Sequence, residues 1–80
     1  MKDKTFTIGQ IVQLTGVTPK QLRFWEQEDY LQGVEYISYG GIHHRRYSAE
    51  TLEQIQLIKR FLDKGFTLQA ASQRAQANKK

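Results

Sequence analysis

Eighty residues with no cysteine, one proline and a net charge of +4 fit one small domain with a modest core. The lack of cysteine excludes disulfides and thiolate metal sites. No apolar run approaches the ~18 residues of a membrane span, and Met1-Lys2-Asp3-Lys4-Thr5 opens no apolar signal core. The positive balance favours an anionic partner, nucleic acid before membrane, although many small domains carry such charge for solubility alone. A cytoplasmic location follows as the expectation. Residues 1–80 read as one domain, ordered from about 6 to 75, with flexible termini.

The first helix is expected from Ile8 to Thr15. Thr7 is its cap and Gln10 the capping-box partner. Ile8, Ile11 and Val12 follow at helical spacing, with Leu14 beside them. Gly16 ends this helix, and Val17 turns inward. Thr18 then caps a second helix, Pro19 to Glu28, with Pro19 at its first position and Gln21 closing a second capping box. Leu22 is its clearest core residue, and Trp25 or Phe24 should join it. Lys20 and Arg23 sit near the positive end of the helix dipole, where a phosphate or a base edge would relieve them. Asp29-Tyr30-Leu31 turns the chain, with Tyr30 and Leu31 packing back.

Gly40-Gly41 separates Glu35–Tyr39 from Ile42–Tyr47, two short runs rich in aromatic and β-branched residues, which predicts a β-hairpin. Alternation groups His43, Arg45 and Tyr47 on one face, and His44 and Arg46 on the other. Tyr36, Ile37 and Tyr47 are expected to pin the hairpin to the helices, since a hairpin this small cannot stand alone. Ser48 caps a third helix, Ala49 to Lys64, with a stripe of Leu52, Ile55, Ile58 and Leu62 widened by Leu57 and Phe61. Gly65 follows its end, with Phe66 packing back. Thr67 caps a weaker fourth helix through Leu68, Ala70, Ala71 and Ala75, and the end from Gln76 should fray.

The fold class is therefore mainly α: a winged helix-turn-helix of about four helices, with a two-stranded β-hairpin wing after the second. Such helix pairs also serve as structural corners. What favours DNA is the positive wing, because Arg45 and Arg46 can neutralise phosphates or probe a minor groove. In a winged helix the second helix enters the major groove and the wing lies along the backbone.

Other chemistries find less support. Neighbouring His43 and His44 point to opposite faces of a strand and cannot share one ion, and no cysteine or acid pair accompanies them. No metal and no cofactor are expected; a hydrogen bond to phosphate is the more natural use of either histidine. Glu26, Glu28 and Asp29 read as helix surface, with Glu26 placed to orient an arginine. The aromatics Phe24, Trp25, Tyr30, Tyr36, Tyr39 and Tyr47 can stack bases in a single-strand binder, but a small domain needs most of them in its core. Ser48 is a cap, and no nucleophile arrangement appears, so an enzyme is not expected.

With these pieces in place, the chain resembles the N-terminal DNA-binding domain of the MerR superfamily of bacterial transcription regulators. The likeness spans Thr7 to about Ala75. It rests on Thr7-Ile8-Gly9-Gln10, Thr15-Gly16-Val17-Thr18-Pro19 and Leu22-Arg23-Phe24-Trp25-Glu26. It continues in Gly41 before Arg45-Arg46-Tyr47-Ser48, then Ile55, Leu57-Ile58 and Gly65-Phe66-Thr67-Leu68. The resemblance implies that Thr18, Lys20 and Gln21 face the major groove, that Arg23 contacts DNA and that Arg45 lies on the phosphates. Phe24 matches a position usually held by tyrosine and lacks its hydroxyl. The third and fourth helices then form a further small helix-turn-helix, which makes Lys64 and Thr67 backbone contacts.

The resemblance also implies a mechanism. Regulators of this type act as dimers on near-palindromic operators and distort promoter DNA for RNA polymerase, at the bacterial nucleoid. Three departures stand out. Asp29-Tyr30-Leu31 replaces a glycine-leucine-leucine turn, His43-His44 precedes Arg45 at the wing tip, and no heptad seam follows Ala75. A homodimer is expected in a full-length relative, with the dimer helix absent here. The chain then reads as a domain excerpt or a short stand-alone relative, covering half an operator. Two other readings remain: an excisionase-like architectural DNA-binding factor, and a protein-interaction module on the same fold.

Overall fold

The computed structural model describes the backbone of residues 5–77, and every side chain in that span except those of Tyr39, Ile42 and His43. The order is β1 (Thr5–Thr7), α1 (Ile8–Thr15), α2 (Pro19–Gln27), β2 (Val34–Tyr39), β3 (Ile42–Ser48), α3 (Ala49–Asp63) and α4 (Leu68–Ala77). Expectations about residues 1–4 and 78–80 fall outside the described residues.

Local chemistry sets the helix starts. Thr7 and Thr18 each form a full capping box, with Gln10 and Gln21. At the second, the Thr18 N–H donates to Gln21 Oε1 at 3.0 Å, while the Gln21 N–H donates to Thr18 Oγ1 at 3.1 Å. These contacts satisfy two of the donors a helix start leaves open. Ser48 Oγ accepts from the Thr51 N–H at 3.1 Å to start α3. Thr67 Oγ1 accepts from the Ala70 N–H at 3.2 Å to start α4. The ends are equally local. Gly16, at φ 79°, closes α1, and Asp29, at φ 68°, takes the left-handed turn after α2. After α3 the Phe66 N–H returns to the Phe61 carbonyl at 3.1 Å, and the two rings meet edge to face at 5.4 Å.

The sheet has three strands, in the order β1-β3-β2, rather than the hairpin alone. Thr5, Phe6 and Thr7 pair antiparallel with Ser48, Tyr47 and Arg46. Three residues carry too little alternation to announce a strand; β1 exists because β3 offers it a free edge. Helix α4 also runs two residues further than expected, to Ala77.

The core joins Ile11, Val17, Leu22, Trp25, Leu31, Tyr47, Ile55, Ile58, Ala71 and Ala75. Leu22 and Trp25 are its contribution from α2, and Phe24 is 49% exposed. Leu14 is exposed as well. At 3.6 residues per turn it sits on the far side of Ile11 from Ile8 and Val12. The expectation that Tyr36 and Ile37 pin the wing is corrected: both are about half exposed, and Tyr47 alone of the three is buried. Tyr47 lies at the base of the wing opposite Phe6 and Val34, whereas Tyr36 and Ile37 stand further out on the edge strand β2.

The loop between α2 and β2 is tied to α3 by polar contacts. Gln54 Oε1 accepts from the Gln32 N–H at 3.3 Å, and the Thr51 hydroxyl donates to the Gln32 carbonyl. Thr51 and Gln54 are buried, so their polar atoms need such partners.

Candidate nucleic-acid interface

The outward face of α2 follows from its pitch. With Leu22 and Trp25 turned into the core, Lys20, Arg23, Phe24 and Gln27 fall at i, i+3, i+4 and i+7 on the opposite side, and all four are exposed. Phe24 thus shares a face with two cations. Gln27 belongs to the same face and was not among the expected site residues, although the helical spacing from Lys20 identifies it. Thr18 and Gln21 stand at the start of this face. Their side-chain oxygens are spent on the cap, which leaves the amide nitrogen of Gln21 as the group it can offer.

The wing leans against this helix. Arg45 Nε donates to Glu26 Oε1 at 2.7 Å, and the two side chains are 28% and 16% exposed. The Tyr36 ring lies opposite Arg45 in the strand register, with its centroid 5.4 Å from the guanidinium carbon. On the other face Arg46 reaches back to β1. Its Nε and Nη2 donate to Thr5 Oγ1 at 3.1 and 2.8 Å. An open groove of about 460 Å³ results, lined by Arg23 of α2, by His44, Arg45, Arg46 and Ile37 of the wing, and by Thr7 and Ile8 at the start of α1. Among the described residues, three guanidinium groups and no carboxylate line it. The side chain of His43 lies outside the described residues.

Lys64 and Thr67 are placed elsewhere, at the corner between α3 and α4. Lys64 borders a separate groove of about 450 Å³ together with Leu14, Thr15, Gln56, Lys59, Arg60 and Asp63. Its ammonium also lies 5.7 Å from the centre of the Phe61 ring. Thr67 is occupied in capping α4. The expected residues therefore form two groups, one around α2 and the wing, one at the α3–α4 corner.

Between α2 and the wing lies a further polar atom. The buried Tyr47 hydroxyl has no hydrogen-bond partner among the described residues. Burial pushes its phenol above the ordinary tyrosine value; Glu26 adds to the rise, while Arg45 and Arg23 pull against it. Among the described residues no cluster of three or more histidine and carboxylate side chains could hold a metal ion, and no helix is long and apolar enough to cross a membrane.

Comparison with known proteins bears on the whole arrangement. A mercuric resistance operon regulatory protein of Bacillus cereus is 32% identical over 63 residues, which make up 79% of this chain and 46% of that protein. The chain thus spans about half the length of this curated relative. HiNmlR, a MerR family regulator lacking the sensor domain and solved bound to promoter DNA, superposes with a TM-score of 0.74 at 24% identity, over 92% of this chain and 54% of its own. At that identity the likeness bears on the fold. The sequence profile of the MerR HTH family of regulatory proteins matches residues 6–78. With nearly all of its length covered by that profile, the chain belongs to the MerR helix-turn-helix family of regulatory proteins.

Proposed function

We propose that the chain binds double-stranded DNA in a sequence-specific manner, as the DNA-binding domain of a transcription regulator. The observation that carries this reading is the convergence of Arg23 from α2 with Arg45 and Arg46 from the wing on one open groove, which no carboxylate lines among the described residues. In this reading the exposed face of α2 enters the major groove. Lys20, Gln21, Arg23 and Gln27 meet base edges there, and Phe24 offers an apolar surface to a thymine methyl. Arg45, Arg46 and the two wing histidines follow the phosphates, with Lys64 and Thr67 reaching the backbone from the α3–α4 corner. HiNmlR, which shares the fold, is bound to promoter DNA, and this supports the choice of partner. A pair of such domains would read a near-palindromic site and act on RNA polymerase at a promoter in the bacterial cytoplasm. Of the acidic residues after Arg23, Glu26 is drawn into the wing contact, which leaves less acidic surface for a protein-interaction module.

The test is binding of the chain to labelled duplexes drawn from a randomised pool, measured by fluorescence anisotropy across a salt series. The affinity should fall linearly with salt on logarithmic axes. Arg23→Ala should change which sequences are enriched, by about 1–3 kcal/mol at the affected base pair. Absence of DNA affinity at low salt, even with the chain artificially dimerised, would overturn the reading.

A further inference from the structure

We propose that Glu26 is a positioning residue for DNA binding: its carboxylate presets the Arg45 guanidinium, so that the phosphate contact of the wing is fixed relative to the reading face of α2. The proposal rests on the DNA-binding reading above and concerns a residue whose charge is wrong for direct contact with DNA.

The geometry carries it. Glu26 belongs to the reading helix, and Arg45 belongs to β3, two residues from the buried anchor Tyr47. Glu26 Oε1 accepts from Nε of Arg45 at 2.7 Å, the short distance of a charge-assisted bond. This contact uses the Nε–H. Among the described residues no hydrogen bond ends on either terminal nitrogen of Arg45, and the side chain lines the open groove. The Tyr36 ring flanks the guanidinium from the neighbouring strand. One edge of Arg45 is thus held by the helix, one side is flanked by the wing, and its terminal nitrogens remain for a phosphate. An arginine fixed before binding loses less rotamer freedom on binding.

The sign of the effect separates positioning from plain electrostatics. By charge alone, removal of a carboxylate beside a phosphate-binding groove strengthens DNA binding. By positioning, Glu26→Ala weakens it, because Arg45 loses its fixed setting. Glu26→Gln keeps an oxygen that accepts from Nε–H and should rescue. Glu28, exposed near the end of the same helix and outside this contact, serves as the control for charge.

The experiment uses the full chain and a duplex selected from the randomised pool. Glu26→Ala should lose about tenfold in affinity and Glu26→Gln less than about threefold, while Glu28→Ala binds as tightly as the native chain or tighter. The Arg45 Nε–H resonance should be slow to exchange in the native chain and in Glu26→Gln, and averaged with solvent in Glu26→Ala. In an Arg45→Ala background, Glu26→Ala should cause no further loss. A Glu26→Ala chain that binds as tightly as the native chain, or tighter, overturns the positioning role and leaves DNA binding standing. A native chain without DNA affinity overturns both. If Glu26→Ala fails to fold by circular dichroism, Glu26→Gln decides. Native affinity with a protected Nε–H supports the role, and a tenfold loss with that proton still protected overturns it.

Discussion

The two halves of the molecule are held together by different means. Helices α3 and α4 pack on each other and contribute Ile55, Ile58, Ala71 and Ala75 to the buried apolar core. Beyond the buried Tyr47 at its base, the wing is tied to α2 through Arg45 on Glu26 and to β1 through Arg46 on Thr5. Burial of apolar area is the stronger and less directional force. Ion pairs and hydrogen bonds at a partly exposed edge add little net stability, but they fix orientation. The α3–α4 half thus supplies stability, and the α2–wing half supplies a surface of set geometry.

That contrast is broken most severely from the stable half. Ile58 is fully buried, and Ile58→Ala should cost about 2–5 kcal/mol through lost transfer energy and the cavity left behind. For a domain this small the melting temperature should drop by at least about 10 °C, read by circular dichroism. Gly33→Ala is next. Gly33 sits at φ 82°, and a Cβ there would lie 3.0 Å from Thr51 Oγ1 and 3.3 Å from Ser48 Oγ. The added methyl would meet the side chains that cap α3 and hold the Gln32 carbonyl. A loss of about 1–3 kcal/mol is expected, measurable as a lower urea midpoint.

Substitution in the other half should act on binding. Arg45→Ala should weaken binding to all duplexes and reduce the slope of log affinity against log salt by about 1. Its stability should change by less than about 1 kcal/mol, since a partly exposed pair contributes little. A fall in stability as large as that of Ile58→Ala would erase the distinction between the halves.

The same contrast explains what could be read in the sequence. Signals confined to a few neighbouring residues were legible: Thr7 with Gln10, Thr18 with Pro19 and Gln21, Ser48, the Gly40-Gly41 turn and the stripe of α3. These elements, in their order, are those of the winged helix. What was not legible depends on residues far apart in the chain. Strand β1 exists through pairing with β3, and Arg46 finds Thr5 across 41 positions. Neighbouring Tyr36 and Ile37 point to opposite faces of β2, and alternation carries no information about which face meets another layer. For the interface, the helical period was enough to place Lys20 and Arg23 outward. The same count applied to Gln27 would have added it. The hold of Glu26 on Arg45 was anticipated only in kind, because the partner strand lies 19 positions away.

The smallest expected effect has the opposite sign and lies where the two forces meet. Tyr47 is fully buried, yet its hydroxyl has no partner among the described residues. A buried polar group without a hydrogen bond costs roughly 1–3 kcal/mol, while the ring around it contributes by burial. Tyr47→Phe keeps the ring and removes the hydroxyl, so it should stabilise the fold by about 1 kcal/mol and leave DNA binding unchanged. The effect should grow in alkali. Burial raises the folded-state pKa of this phenol above the ordinary 10.0. Below pH 10 it is protonated in both states and adds no pH dependence. As the pH rises past 10 the unfolded chain releases the proton first, and stability falls until the folded pKa is passed. The phenylalanine variant lacks that loss. The difference in urea midpoint between the two chains should therefore be constant from neutral pH to about 10 and widen above it. A variant less stable than the native chain at neutral pH would show that the hydroxyl does have a partner, and that polar pairing as well as burial anchors the base of the wing.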